Sequence, residues 1–317
     1  MNKPPHHLPP DHLPPDHLRS DHLRSDHLPS LGLIGIGLLG SALASRLLAS
    51  GYRIHGYDTN QDQLGAFEKI GGLPCQSAKE VVGQCEILIL SLPTSEVVRT
   101  LIEQLRETSV DGRMIIDTTT GDPSDMISFD SELRDRGARY VEATVAGSSS
   151  QLNQGEGSLF LGGESSTLDL LQPLFSAMSS KFFHLGPVGT ASRFKLVHNL
   201  VLGLHRAVLA EGLSFAEELG FDQERTLSIL KQSPAVSGVM ETKGRRMVEG
   251  DYEPQARLSQ HLKDVRLILS EVSQASMKAP LSVTHQDLLE HAVQLGYGDA
   301  DNSAIIEVYR APKRKVD

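Results

Sequence analysis

The sequence predicts an α/β fold: a doubly wound parallel sheet, then an all-helical C-terminal domain joined to it by a long helix. Three observations carry the prediction. A short apolar run, Leu31 to Ile36, leads into the spacing G-x-G-x-x-G at Gly35, Gly37 and Gly40, and a second run, Tyr52 to Tyr57, ends in Asp58. Apolar strand-like runs then alternate with helical stretches to about residue 190, the pattern of a parallel sheet wrapped by helices. Beyond Gly186-Pro187-Val188-Gly189 the spacing turns helical from Ala191 to Leu219 without a break and stays helical afterwards.

Each glycine of the first turn has a physical task. Gly35 permits the tight turn off the strand, Gly37 lets a pyrophosphate approach the backbone, and Gly40 lets the helix pack against the sheet. Leu38 and Leu39 lie within the turn, and Ser41 to Ser50 follows with helical character, its N-terminus offering free N–H groups and a positive dipole end to phosphate. Asp58 follows Gly40 by 18 residues, close to the ~20 of a dinucleotide fingerprint. The unit reads as Rossmann-type. A carboxylate at 58 accepts hydrogen bonds from ribose hydroxyls and repels a 2′-phosphate, and Thr59 and Asn60 supply no cation, so NAD is expected in preference to NADP.

Residues 1–30 stand apart. A five-residue unit recurs as DHLPP, DHLRS and DHLPS. That period suits neither a helix nor a strand, and its prolines remove backbone donors. The segment is expected to be a disordered low-complexity tail, and its Asp-His pairs lack the fixed, convergent geometry a metal site needs, so no metal is expected. Residues 31–190 form the expected dinucleotide-binding domain. Its later strands are Glu86–Leu90, Met114–Ile116, Tyr140–Ala143, Ser158–Leu161 and Lys181–His184. Ligands sit beyond the carboxyl ends of such strands, so Leu92, Pro93, Thr119 and Thr120 are candidates to touch the nicotinamide half. Residues 191–317 form the expected helical substrate and dimerisation domain, with helices near 191–219, 223–232, 236–249, 255–276, 282–295 and 303–310. Lys313-Arg314-Lys315 reads as a solvated basic end.

Composition narrows the partners. The net charge of −10 argues against nucleic acid and membrane surfaces. Cys75 and Cys85 make no disulfide framework, no apolar run reaches the ~18 residues of a membrane span, and no secretory signal is visible, so a cytoplasmic protein is expected.

Hydride transfer from an alcohol needs a group to take the hydroxyl proton. Lys195 and Asn199, four residues apart in the first turns of the long helix, share one face and can look into the cleft between domains. A lysine there can be tuned toward neutrality by burial or a nearby cation. Spacing alone equally allows a solvent-facing Lys and Asn.

From Leu31 to Tyr309 the chain resembles the β-hydroxyacid dehydrogenases, the 3-hydroxyisobutyrate dehydrogenase family. LGLIGIGLLGSALASRLLASGY matches the family's first βα unit. Ser91-Leu92-Pro93 resembles its Leu-Pro cofactor contact, and Asp117-Thr118-Thr119-Thr120 its Asp-x-Ser-Thr segment, which implies cofactor binding by Thr120. Ala143 to Ser148 lies where the family has Ala-Pro-Val-Ser-Gly-Gly, which implies substrate contacts at Ala146, Gly147 and Ser148. Gly186 to Asn199 resembles G-x-x-G…K-x-x-N-N, which implies a catalytic Lys195 and a substrate-orienting Asn199. Lys263-Asp264 matches a Lys-Asp pair whose lysine lies near the nicotinamide, and Gly296 to Ala304 matches G-x-G-x-x-D-x-S-A. The resemblance implies a homodimer or homotetramer acting on a small 3-hydroxy acid or the matching semialdehyde. The substrate loop departs from the family at Thr144, Ala146 and Ser148, and the residue before Asn199 is His198. Lys195 to Asn199 is also similar to K-x-x-H-N of 6-phosphogluconate dehydrogenase, but that enzyme's acidic Glu falls on Leu202. Imine reductases lack the lysine. An NAD-binding sensor or scaffold with little turnover is the non-enzymatic alternative.

Overall fold

The computed structural model describes residues 28–310. The repeat through residue 27 and the basic Lys313 to Lys315 lie outside the described residues.

Eight strands form one sheet in the order β3-β2-β1-β4-β5-β6-β7-β8. The strands are β1 (Leu31–Ile34), β2 (Ile54–Tyr57), β3 (Leu73–Pro74), β4 (Ile87–Leu90), β5 (Met114–Asp117), β6 (Arg139–Ala146), β7 (Ser158–Gly162) and β8 (Lys181–His184). β1 to β6 pair in parallel, as do β7 and β8. β7 runs antiparallel to β6, with Thr144 opposite Phe160, a departure from the wholly parallel sheet. The link 147–157 is shorter than the dozen or more residues a parallel crossover takes, so the chain turns back on itself. β3 and the helices α2 (Gln61–Lys69) and α3 (Ala78–Gln84) were not legible as separate elements. β3 is a two-residue edge strand ending in Pro74, where a missing donor costs least.

The run Glu86 to Leu90 is apolar throughout because both faces of the sheet are covered. Ile87 and Ile89 point into the core shared with α1 (Leu38–Ala49) and α7 (Ser165–Met178). Leu88 and Leu90 point into the opposite core, against α3, α4 (Ser95–Gln104) and α5 (Pro123–Asp135).

The long helix α8 (Thr190–Glu218) would extend about 44 Å. Its start is fixed by the sheet. The buried Glu142 carboxylate on β6 accepts hydrogen bonds from Gly189 N (2.6 Å) and Ser192 N (3.2 Å), and also from the Ser192 hydroxyl. A carboxylate at a helix N-terminus satisfies free donors and complements the dipole. After α8 come α9 (Gln223–Lys231), α10 (Arg245–Glu249), α11 (Leu258–Gln274), α12 (Pro280–Ala292) and α13 (Glu307–Arg310). The stretch expected as a helix over 236–249 opens instead with a π turn, Met240–Gly244. The helical path after α12 breaks at Gly296, which has φ +95°, and a 3₁₀ turn, Asn302–Ile306, precedes α13. Leu213, Met247, Leu262 and Ile305 belong to the core of this helical half. No helix among the described residues is long and apolar enough to cross a membrane, and no group of three or more His, Cys, Asp or Glu among them is arranged to hold a metal ion.

Candidate active site

The glycine turn separates into one open position and two closed ones. Gly35 has φ +94°, and a Cβ there would lie 2.3 Å from the Ser91 carbonyl oxygen. A Cβ on Gly40 would lie 2.1 Å from the Gly35 carbonyl oxygen, so α1 crosses the turn at backbone contact. At Gly37, the residue capping α1, an added Cβ would meet nothing within 4 Å. That open cradle at a helix N-terminus is the shape a pyrophosphate requires. Asp58 closes the turn from β2: its Oδ2 accepts from Ile36 N at 2.6 Å and its Oδ1 from Asn60 N at 2.8 Å. A carboxylate has about four acceptor sites, which leaves capacity for ribose hydroxyls.

These residues line a groove of about 660 Å³ along the carboxyl ends of β1, β2, β4 and β5. Gly35, Gly37, Leu38, Leu39, Asp58, Leu92, Pro93 and Thr120 all face it. Gly40 does not, consistent with its packing task. Thr119 is buried and occupied otherwise, its hydroxyl accepting from Leu92 N at 3.3 Å. The open position at Gly37, the spare acceptor capacity of Asp58 and the groove that joins them fit a dinucleotide.

A second cavity of about 340 Å³ adjoins the groove. Ala146, Gly147 and Ser148 from the β6–β7 link form one wall, and Lys195, His198 and Asn199 of α8 form another. Gly147, Lys195, Gln260 and Asp264 line both spaces, so Lys195 stands at their junction. Ser148 is less free than expected. It caps α6 (Ser149–Asn153) in a reciprocal box, its N–H donating to Gln151 Oε1 (2.9 Å) and its hydroxyl accepting from Gln151 N (3.2 Å). Only its hydroxyl proton remains to donate.

Lys195 is 8% exposed, and its ammonium forms no hydrogen bond or ion pair with another described residue. Burial pulls its pKa down to about 8 against the Asp264 carboxylate, which pulls upward, while Arg206 and Lys263 add to the lowering. Asp264, from α11, is engaged with others. It accepts from Asn199 Nδ2 at 2.8 Å and pairs with Lys263 Nζ at 3.2 Å. Asn199 Oδ1 lies 3.1 Å from His198 Nδ1, and the His198 ring packs edge-on against Phe160. Lys263 lines neither space. Its ammonium donates to Pro93 O (3.2 Å) and to Thr120 O, and Gln260 Nε2 donates to Pro93 O at 3.0 Å. It therefore ties the helical half to the strand ends that form the groove wall.

Sequence reasoning missed Asp264 as a site residue, together with Gln260, Arg257 and Arg206. Arg206 had a signal: it lies eleven residues after Lys195 and seven after Asn199 on α8, the stripe that keeps one helix face. Asp264 belongs to the Lys263-Asp264 match without having been read as a site residue, and Gln260 and Arg257 are brought to the site by tertiary packing.

Residues 30–186 match a family model described as the NAD binding domain of 6-phosphogluconate dehydrogenase. Residues 189–309 match one described as the NAD-binding region of NADP-dependent 3-hydroxyisobutyrate dehydrogenase. Among curated proteins, the chain is 25% identical over 262 residues to an L-threonate dehydrogenase of Cupriavidus necator, covering 81% of this chain and 88% of that one. It is 26% identical over 242 residues to the cytokine-like nuclear factor N-PAC of Aedes aegypti, covering 75% of this chain and only 43% of that protein. Among solved structures, 3-hydroxyisobutyrate dehydrogenase from Salmonella typhimurium superposes with a TM-score of 0.81 at 23% identity, over 88% of this chain and 99% of that one. With two successive family models spanning residues 30–309 and the fold shared throughout, the chain belongs to the β-hydroxyacid dehydrogenase family, NAD(P)-dependent oxidoreductases of the CH–OH group.

Proposed function

We propose that the protein oxidises a small 3-hydroxy acid, or reduces the matching semialdehyde, with NAD(H) as the redox partner and Lys195 as the acid–base group. The observation that carries this reading is the unpaired, buried Lys195 ammonium at the junction of the dinucleotide groove and the second cavity. When bound, the nicotinamide supplies hydride acceptance or donation. Gly35 and Gly37 would hold the pyrophosphate, Asp58 the adenosine ribose, and Leu92, Pro93 and Thr120 the nicotinamide half. Lys263 acts on that half by fixing the Pro93 and Thr120 carbonyls.

In the oxidative direction, the alcohol carbon gives up its hydrogen with the bonding pair. The neutral Lys195 amine takes the hydroxyl proton, leaving a carbonyl product and an ammonium. In reverse, the ammonium returns that proton to the carbonyl oxygen. Asn199 orients the reacting oxygen, and its own orientation is set by Asp264. Gly147, the Ser148 hydroxyl and Gln151 offer the wall against which the substrate carboxylate lies. An Asp at 58 with no neighbouring cation supports NAD over NADP.

The test is reduction of NAD or NADP at 340 nm with 3-hydroxyisobutyrate, 3-hydroxypropionate, glycerate, threonate, 4-hydroxybutyrate and serine, and the reverse reaction with semialdehydes. Turnover on one of these is expected, and Lys195→Ala should lower kcat by ~10²-fold or more with NADH affinity retained. Undiminished turnover in that variant would remove Lys195 from the chemistry. NADH binding without turnover on any of these would favour the sensor reading, which rests on the altered substrate loop at Thr144, Ala146 and Ser148 and to which the likeness to a nuclear factor adds.

A second copy of the chain is the proposed cover for α8. Phe194, Val201, Val208 and Phe215 are exposed at intervals of seven residues, one apolar row along the helix. Sedimentation equilibrium should give a dimer or tetramer, and a monomer at micromolar concentration would rule this cover out.

A further inference from the structure

The second cavity is lined along α8 from Lys195 to Arg206, about three turns of helix. A three-carbon hydroxy acid held at the Lys195 end would leave the far end empty. That end is built from Arg206, Thr242, Lys243 and Asn302. Around the whole cavity four basic side chains face one acidic one, in a chain whose net charge is −10.

Arg206 is the unusual member. It is 5% exposed, yet its guanidinium forms no hydrogen bond or ion pair with any other described residue. Each nearby carboxylate has another partner, although Asp264 Oδ1 accepts no hydrogen bond. Asp301 accepts two bonds of 2.8 Å from Lys243 Nζ, and others from the N–H groups of Gln255, Ala256 and Ser303. Asp264 serves Asn199 and Lys263. The neighbouring rings of His261 and His285, 5.1 Å apart, are held in the neutral form by burial, with Arg206 adding to the effect. They bring no negative charge. A guanidinium that lines a cavity and has no fixed partner is best matched by a ligand carboxylate on its planar fork.

We infer that the substrate is a hydroxy dicarboxylate whose second carboxylate, distal to the reacting carbon, is bound by Arg206 at the far end of the α8 cavity. The inference rests on the dehydrogenase reading and adds a substrate class to it. Lys195 and Asn199 then engage the hydroxyl, the β6–β7 wall takes the near carboxylate, and Arg206 sets which acids are selected.

The experiment compares 2-(hydroxymethyl)glutarate with 2-(hydroxymethyl)pentanoate, which replaces the distal carboxylate by a methyl group. In the wild-type protein the dicarboxylate should have a kcat/KM about 10- to 100-fold higher, the worth of hydrogen bonds to a charged group. In Arg206→Met that ratio should collapse toward one, and Arg206→Lys should restore part of it. Because a buried substitution can impair folding, binding of glutarate and of pentanoate to the wild-type protein with NADH is measured by calorimetry, where glutarate should bind at least tenfold tighter. Equal kcat/KM for the two acids in the wild type, or equal losses on both in Arg206→Met, would overturn the second-carboxylate site while leaving the dehydrogenase reading intact. Absence of NAD(P) reduction with every acid would overturn that reading instead, and the glutarate titration would still decide whether Arg206 binds a carboxylate.

Discussion

Substituting Gly37 and Gly40 separately by Ala sorts ligand binding from architecture within one turn. The Gly40 methyl would sit 2.1 Å from the Gly35 carbonyl oxygen, more than an ångström inside ordinary carbon–oxygen contact. The obstacle is backbone on both sides, so helix and turn must separate. Overpacking of this kind costs about 1–3 kcal/mol, and at ~2–4 °C per kcal/mol for a chain of this class the melting temperature should fall by about 2–12 °C. The Gly37 methyl would meet nothing within 4 Å, at φ −71°, a backbone setting alanine adopts freely. Its stability should stay within about 0.5 kcal/mol of wild type. The same methyl occupies the space assigned to the pyrophosphate, so NADH affinity should fall tenfold or more. The chain contains no tryptophan, so NADH fluorescence can be read on titration without protein interference near 340 nm, alongside melts by circular dichroism. A Gly37→Ala protein with wild-type NADH affinity would refute the pyrophosphate assignment. A Gly40→Ala protein as stable as wild type would refute the packing argument.

The remaining predictions concern buried charge. Burial lowers the Lys195 pKa to about 8, and the oxidative direction needs the neutral amine. kcat/KM for oxidation should therefore rise about tenfold per pH unit below 8 and level off above it, while carbonyl reduction, which needs the ammonium, should decline above 8 (stopped-flow rates at 340 nm across pH 6–10 decide). Asp301→Asn would leave Lys243 buried with its charge uncompensated. Breaking one side of a buried pair costs about 3–5 kcal/mol, visible as a lower urea midpoint. A midpoint within error of wild type would mean that Lys243 reaches water.

The parts of this site that were legible in the sequence are those set by short-range geometry. Gly35 to Gly40 and Asp58 belong to one βαβ unit, and their spacing is dictated by a strand, a turn and a helix of fixed dimensions. Lys195 and Asn199 share a helix face, which four-residue spacing reveals. Ser148 is instructive, because Ser148-x-x-Gln151 is a capping-box pattern readable in the chain, and reading it would have shown that the Ser148 N–H is taken. What the sequence concealed depends on contacts between distant segments. Asp264 reaches Asn199 across 65 residues, and the antiparallel turn of β7 depends on the length of a link whose short helix looks like part of a crossover. The π turn at Met240–Gly244 differs from α-helix by about one residue in its hydrogen-bond spacing, below the resolution of an apolar pattern.

Asp264 explains how Lys195 can be both buried and usable. A carboxylate bonded directly to the ammonium would stabilise its charged form and carry the pKa upward, leaving no base near neutrality. With no carboxylate nearby, a cation that is 8% exposed would be costly to fold around. Asp264 stands between these limits because its Oδ2 is bonded to Asn199 and its Oδ1, which accepts no hydrogen bond, is ion-paired with Lys263, so it acts on Lys195 through space rather than through a bond. The same Asn199 bond aims an amide at the cavity, and the same Lys263 pair anchors α11 to the Thr120 and Pro93 carbonyls. In the proposed mechanism Asp264 thus couples the proton-transfer group, the orienting amide and the nicotinamide wall. Its replacement by Asn should therefore disturb all three together, shifting the pH profile of kcat as well as its size, whereas loss of Lys263 alone should weaken cofactor binding and leave the Lys195–Asn199 geometry in place.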